Sequence, residues 1–250
     1  MSKRSSVTDR PEKDRQAPPA LPPVISIVLP VLNEARILAE TLSGLPVAAD
    51  VEIILVDGGS TDGTRELAGR FPHLRLLAAP RGRGCQMNAG ARAARGELLT
   101  FLHADTQLSP VHLAALRRAA ADPAFSAGAF ELALSPPTPA LRFIACGANW
   151  RSRLLGLPYG DQVLTLRRDL FHALGGFAHR RPEDLDLVLR LKRGSRLRLL
   201  SPPVISSGRR WLEQGYFAAT RRHWLALARH LAERLFTKGW PPQGELEKQG

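Results

Sequence analysis

A chain of 250 residues, 44% of them hydrophobic, is long enough for one large domain or two small ones around a sizeable core. Two cysteines, Cys85 and Cys146, exclude a disulfide framework and a cysteine metal cluster and point to a reducing, cytosolic setting. The net charge of +12 is uneven: residues 140–250 carry 20 basic and 9 acidic side chains, against 10 and 11 in residues 24–139 and 5 and 3 in residues 1–23. Any anionic partner, whether phosphate, lipid head group or nucleic acid, is therefore expected to meet the C-terminal part, unless that part is simply a basic solvated surface.

Residues 1–23 mix Ser, Lys, Arg, Asp and Pro with no apolar run and read as a solvated, disordered tail without a secretory signal. No apolar stretch approaches the roughly 20 residues needed to cross a bilayer as a helix. Residues 24–32 are rich in β-branched side chains without alternation, which predicts a strand buried on both faces of a parallel sheet. Asn33 is a plausible cap for the helix that follows, with Ile37, Leu38, Leu42 and Leu45 at helical spacing before Pro46. A second strand, residues 52–57, ends in Asp57-Gly58-Gly59, and Ser60 and Asp62 are expected to cap a helix running to about residue 70. A strand at 74–79, a helix at 84–94, a strand at 97–102, a helix at 110–121 and a strand at 125–134 complete an alternation. It argues for an α/β fold with a mostly parallel, Rossmann-like sheet and right-handed crossovers.

Ligands of such sheets bind beyond the carboxyl ends of the strands. Four polar clusters fall there: Asn33-Glu34, Asp57-Gly58-Gly59-Ser60, Arg81-Gly82-Arg83-Gly84 and His103-Ala104-Asp105. Asp57 can accept hydrogen bonds from a base or a ribose, with glycine backbone allowing close approach. Arg81 and Arg83 suit a diphosphate, or are solvated arginines. A nicotinamide enzyme is disfavoured, because the turn after the first strand, residues 30–34, has no glycine, and residue 87, where the pattern begun at Gly82 needs glycine, is Met.

Past the breaker at 135–139, residues 141–155 form an amphipathic pattern in which Phe143, Ile144, Trp150, Leu154 and Leu155 are expected to pack. Asp161 and Gln162 line a cleft or form a turn. Glu183 and Asp184 stand at a helix start, where they complement the helix dipole, an effect that by itself lowers a carboxyl pKa. Strand-like residues 197–201 and 204–205 lead to a loop, 206–211, in which Arg209 or Arg210 closes over a bound ligand or sits on the surface. An apolar stripe along 211–236 packs on the sheet or, through its arginines, lies on an anionic membrane. Residues 241–250 read as a frayed tail.

The run from Ile27 to Glu34, the run Val56-Asp57-Gly58-Gly59-Ser60-Thr61-Asp62-Gly63-Thr64, the triplet His103-Ala104-Asp105, and Gly175-Gly176-Phe177 before Glu183-Asp184 together resemble the successive signatures of inverting family 2 glycosyltransferases of the GT-A fold. The resemblance spans about residues 24–240. It implies a nucleotide-diphosphate sugar as donor and a hydroxyl acceptor of unidentified kind: a sugar, a lipid-linked group or a small molecule. Residues 24–134 would form the nucleotide-sugar half and 135–240 the acceptor and catalytic half of one domain. By the same resemblance Pro30, Asn33, Glu34 and Asp57 line the base pocket, Arg209 or Arg210 closes over the donor, Asp161, Gln162 and Trp211 lie on the acceptor side, and Asp184, with Glu183 beside it, is the general base. His103-Ala104-Asp105 stands where the family carries Asp-x-Asp, so Asp105 is expected to hold Mg²⁺ or Mn²⁺ with the donor phosphates. His103 ligates the metal, bonds the ribose or is a plain loop histidine. The competing expectation is an inactive protein of this type that binds membrane or nucleic acid through its basic half; nucleic acid is the less expected partner.

Overall fold

The computed structural model describes residues 23–178 and 182–215, and says nothing of the side chains of Arg210 and Gln214. The expected tails and the 211–236 helix beyond residue 215 therefore lie outside the described residues. The elements are β1 (Ile25–Val31), α1 (Ala35–Gly44), β2 (Val51–Asp57), α2 (Thr64–Ala68), β3 (Leu74–Ala78), α3 (Arg83–Ala93), β4 (Leu98–Phe101), β5 (Thr106–Gln107), α4 (Pro110–Ala121), β6 (Ala127–Ser135), α5 (Pro139–Leu155), a 3-10 turn (Gly160–Gln162), β7 (Thr165–Arg167), α6 (Arg168–Ala173), α7 (Glu183–Leu191), β8 (Leu197–Ser207) and α8 (Arg209–Gln214).

The strands form one sheet in the order β3-β2-β1-β4-β7-β6-β8-β5. β3, β2, β1 and β4 run parallel, β7 is antiparallel to both neighbours, and β8 returns parallel to β6. Every residue of β1 is buried, because the sheet is covered twice. Ile25, Ile27, Leu29 and Val31 face a cluster holding Leu38 and Leu42 of α1 and Leu113 and Leu116 of α4. Val28, with Ile54 and Val56 of β2, faces Met87 and Ala91 of α3, Phe171 of α6 and Leu185 and Val188 of α7. A run without alternation is what two-sided burial requires.

The structure revises several expectations. Residues 197–207 are one strand despite Pro202 and Pro203: the pairing to β6 runs from Leu200↔Phe130 to Val204↔Leu132 with a register shift between, so the prolines sit at an irregularity where no ladder donor is needed. Residues 209–214 are a short helix rather than loop. β5 and α6 were not expected. Phe143, Trp150, Leu154 and Leu155 do not pack but stand exposed on α5, whose inward face is Leu141, Ala145 and Ser152. No helix among the described residues is long and apolar enough to cross a membrane.

Candidate active site

The chain leaves β1 in one direction to reach β2 and arrives at β4 on its other side. The loops after these strands accordingly meet at the topological switch point, where a crevice opens.

Two of the loops are tied together by their own polar groups. The Asn33 N–H donates to Ser60 Oγ (2.9 Å), Asn33 Oδ1 accepts from the Thr61 N–H (2.9 Å), the Glu34 N–H donates to Thr64 Oγ1 (2.9 Å), and the Ala35 N–H donates to Asp62 Oδ2 (3.1 Å). This corrects the capping expectations. Asn33 does not cap α1, whose N-cap is Glu34, and Ser60 does not cap α2, whose N-cap is Gly63. Asn33 adopts φ 55°, a left-handed conformation that asparagine tolerates. Its side chain is spent on the neighbouring loop because that loop lies within reach across the sheet edge. Asp57 is fully buried, and its carboxylate accepts from the Gly59 and Ser60 N–H groups (3.2 and 3.1 Å) with Arg65 Nη1 3.5 Å away, so it shapes its own turn. Pro30 is buried inside β1 opposite Val56.

Beneath both loops lies a residue the sequence reading passed over. Gln86 of α3 is buried, and its Nε2 donates to the carbonyls of Val31 (2.7 Å) and Val56 (2.9 Å), latching the ends of β1 and β2. Gly58 leaves it room, since a Cβ there would stand 3.0 Å from the Gln86 amide. The available signal was a polar side chain amid Met87, Gly90 and Ala91 on the buried face of a helix.

Around the crevice the structure gathers Arg83, His103, Asp105, Tyr159, Asp161, Asp184 and Trp211 in one lining. Arg83 comes from the start of α3 and reaches the start of α7: its Nε donates to Glu183 Oε1 at 2.7 Å and its Nη2 to Asp184 Oδ2 at 2.8 Å. α3 also holds the approach to α7, since Asn88 exchanges two hydrogen bonds with the backbone of Phe177 (2.9 and 2.8 Å). Burial pushes the Asp184 carboxyl up to about 6, against the opposing charge of Arg83 and with Glu183 and Asp161 adding to the rise. Desolvation acts against the lowering that a helix start exerts by itself.

Gly160 stands between the base candidate and His103. Its N–H donates to the Asp184 carboxylate, and a Cβ built on it would lie 2.5 Å from Asp184 Oδ2 and 2.7 Å from His103 Nε2. His103 therefore sits on the Asp184 side of the crevice. Asp105 lies on the same lining, half-buried, with Thr106 Oγ1 3.5 Å from its Oδ1, while its carbonyl accepts from the Ser207 N–H. Ala104 turns away: its methyl joins the core, and its carbonyl accepts from Thr41 Oγ1.

Glu34 is held above the usual carboxylate range chiefly by burial, with the charge of Arg209 opposing and those of Asp105 and Asp62 reinforcing. Glu34, Asp105 and Arg209 thus share one electrostatic neighbourhood at the expected donor side. Arg81 is exposed on the surface. Gln162 does not reach the crevice: it is fully buried, its Oε1 accepting from Ser152 Oγ (2.7 Å) and its Nε2 donating to the Phe130 carbonyl (3.0 Å). Trp211 is buried against Leu132, Leu134 and Leu141 and closes one end of the lining. No group of three or more His, Cys, Asp or Glu side chains among the described residues is arranged to hold a metal.

Residues 26–181 match the family model described as glycosyl transferase family 2. A PGL/p-HBAD biosynthesis glycosyltransferase of Mycobacterium bovis is 40% identical over 94 residues, 34% of this chain and 37% of that one. An undecaprenyl-phosphate 4-deoxy-4-formamido-L-arabinose transferase of Aeromonas hydrophila is 34% identical over 109 residues, 39% of this chain and 33% of that one. The matches thus span about a third of the length of these curated relatives. Among solved structures, a mannosyltransferase from Pyrobaculum calidifontis in complex with GDP-Man and Mn²⁺ superposes with a TM-score of 0.63 at 25% identity, over 90% of this chain and 67% of that one. S. aureus TarS in complex with UDP-GlcNAc superposes with a TM-score of 0.60 at 18% identity, over 74% and 58%. The mixed sheet flanked by helices is the GT-A fold, and the chain belongs to glycosyltransferase family 2.

Proposed function

We propose that the protein transfers a sugar from a nucleotide-diphosphate donor to a hydroxyl acceptor with inversion, Asp184 acting as general base. The observation that carries this reading is the placement of Asp105 and Asp184 on one crevice at the switch point of the sheet. An inverting transfer needs two such functions, one at the leaving diphosphate and one at the attacking hydroxyl. Asp184 takes the proton of the acceptor hydroxyl as its oxygen bonds to the anomeric carbon. The bond from that carbon to the diphosphate breaks, and the electron pair leaves with the diphosphate. Arg83 and the Gly160 N–H orient the carboxylate, and its pKa of about 6 leaves it ionised yet basic near neutrality.

The metal expectation takes a specific form. Asp105, a half-buried carboxylate on the lining of the crevice, is the residue that would hold Mg²⁺ or Mn²⁺ together with the donor diphosphate, carboxylate oxygen being a fitting donor for either ion. When bound, that cation would neutralise charge developing on the leaving group. His103, beside Gly160 and Asp184, is better placed to steady the base than to complete a metal shell. Glu34 and Arg209 would contact the donor side, and Asp161 and Trp211 the acceptor side. Presence of both carboxylates on one crevice disfavours the inactive reading.

A panel of UDP, GDP and dTDP with Mn²⁺ or Mg²⁺ tests the proposal by thermal shift, followed by nucleotide-diphosphate release from the matching sugars. A bound nucleotide at a hundredfold excess over Kd stabilises by about 2.7 kcal/mol. No shift with any nucleotide and either metal would overturn it.

A further inference from the structure

The outward face of α5 is unlike the rest of the described surface. Phe143, Gly147, Trp150 and Leu154 recur at the spacing that stacks side chains into one stripe, and Phe143 is 81%, Trp150 62% and Leu154 62% exposed. Single exposed apolar residues need no explanation, but an aligned aromatic stripe marks an interaction surface. The opposite face of the helix is fully committed to β6, where Asn149 exchanges two hydrogen bonds with the backbone of Leu132.

The charges on α5 say what the surface is for. Its 17 residues contain three arginines and no acidic residue. Arg142 and Arg153 flank the stripe on one side; Arg153 pairs with Glu131 of β6, while Arg142 is exposed with no ion-pair partner among the described residues. Arg151, on the other flank, turns inward over the Tyr159 ring at 3.7 Å, coupling the helix to the lining of the crevice. Leu212 of α8 is exposed too, beside Trp211, which packs against the inward face of α5. Residues 140–250 carry 20 basic and 9 acidic side chains, +11 of the net +12.

We propose that the Phe143-Trp150-Leu154 face of α5 docks the protein on a bilayer containing anionic lipids. Tryptophan and phenylalanine enter the boundary between head groups and acyl chains, and the arginine flank meets the anionic head groups. A second copy of the chain is the less suited occupant, because α5 has no carboxylate to answer its own arginines. The proposal concerns membrane contact alone and does not depend on the transferase reading.

The test is flotation of the full chain with vesicles of phosphatidylcholine and phosphatidylglycerol, against vesicles of phosphatidylcholine alone. The wild type is expected to float with the anionic vesicles and much less with the neutral ones. A Phe143→Ser, Trp150→Ser double variant, whose altered side chains are exposed, should keep its melting temperature while vesicle affinity falls at least about tenfold. An Arg142→Glu variant should lose preference for the anionic vesicles. Failure of the wild type to float, undiminished flotation of the double variant, or flotation insensitive to lipid charge would each overturn the proposal. So would concentration-dependent self-association that the double variant abolishes without any vesicle binding. Nucleotide-induced thermal shifts measured on the same samples separate this outcome from that of the transferase reading.

Discussion

Gly160→Ala is the sharpest single perturbation of the crevice. Gly160 is outside the left-handed region, so alanine incurs no backbone strain there and the effect is steric. The added methyl would meet Asp184 Oδ2 at 2.5 Å and His103 Nε2 at 2.7 Å, separations that real Cβ atoms do not tolerate. Either the carboxylate and the imidazole move or the 3-10 turn carrying Gly160 lifts away, and overpacking of this kind costs about 1–3 kcal/mol. The Gly160 N–H bond to Asp184 is disturbed in both cases. A base displaced by roughly 1 Å loses on the order of 10²-fold in rate. The donor side, built on the loops of Glu34 and Asp105, is left in place, so nucleotide affinity is expected to hold while transfer collapses. Gly147→Ala is the control: nothing lies within 4 Å of a Cβ there, in the interior of α5, and alanine should stabilise by about 0.5–1 kcal/mol. Measurement of Tm, nucleotide-diphosphate affinity and turnover on the three proteins decides the matter. A Gly160→Ala protein with wild-type turnover per folded molecule would refute the alignment of Asp184 through Gly160.

Asp184→Asn should bind donor and lose transfer, and wild-type kcat/KM should fall with acid below an apparent pKa of about 6 as the base takes up a proton. The stability consequence has the opposite sense. Because the folded pKa stands above the ordinary 3.8, the folded state holds the extra proton, and stability falls as pH rises from about 4 to about 6, by roughly 3 kcal/mol. Denaturation midpoints of wild type and Asp184→Asn across that window should converge at low pH and separate above it, with the variant the more stable. Asp105→Ala should weaken nucleotide-diphosphate binding in the presence of Mn²⁺ more than in its absence, as read by calorimetry; equal losses would remove Asp105 as the metal anchor. Gln86→Ala removes two buried hydrogen bonds, to the Val56 carbonyl and to the Val31 carbonyl, which keeps the Gly58 N–H, and is expected to cost about 1–3 kcal/mol in chemical denaturation, with an unchanged denaturation midpoint refuting the latch.

The sequence alone determined the alternation of strands and helices, the strand ends as the edge where polar loops gather, and several of the residues that line the crevice there. These features are local: two-sided burial writes an unbroken apolar run into β1, and polar side chains gather where strands stop. Asp105 and Asp184, 79 positions apart, were already singled out by the motifs that contain them. What lay beyond the sequence was the partner of each polar group. Asn33 and Ser60 looked like caps, because capping is the nearest use for such side chains, but packing brought a second loop within reach and the hydrogen bonds went across. Arg83 looked free for a diphosphate until α3 and α7 were set side by side and its guanidinium met two carboxylates. Gln162 by its position could line a cleft or form a turn; it lies in the 3-10 turn, and burial of its amide could be known only from Ser152 and Phe130 around it. The same holds for the pKa of Asp184: a helix start argues for a lowered value, and only the enclosing tertiary structure supplies the desolvation that raises it. Amphipathic pattern, too, says that α5 has an apolar face but not whether anything covers it. The fold buries the narrow face of Leu141, Ala145 and Ser152 and leaves Phe143, Trp150 and Leu154 in the open.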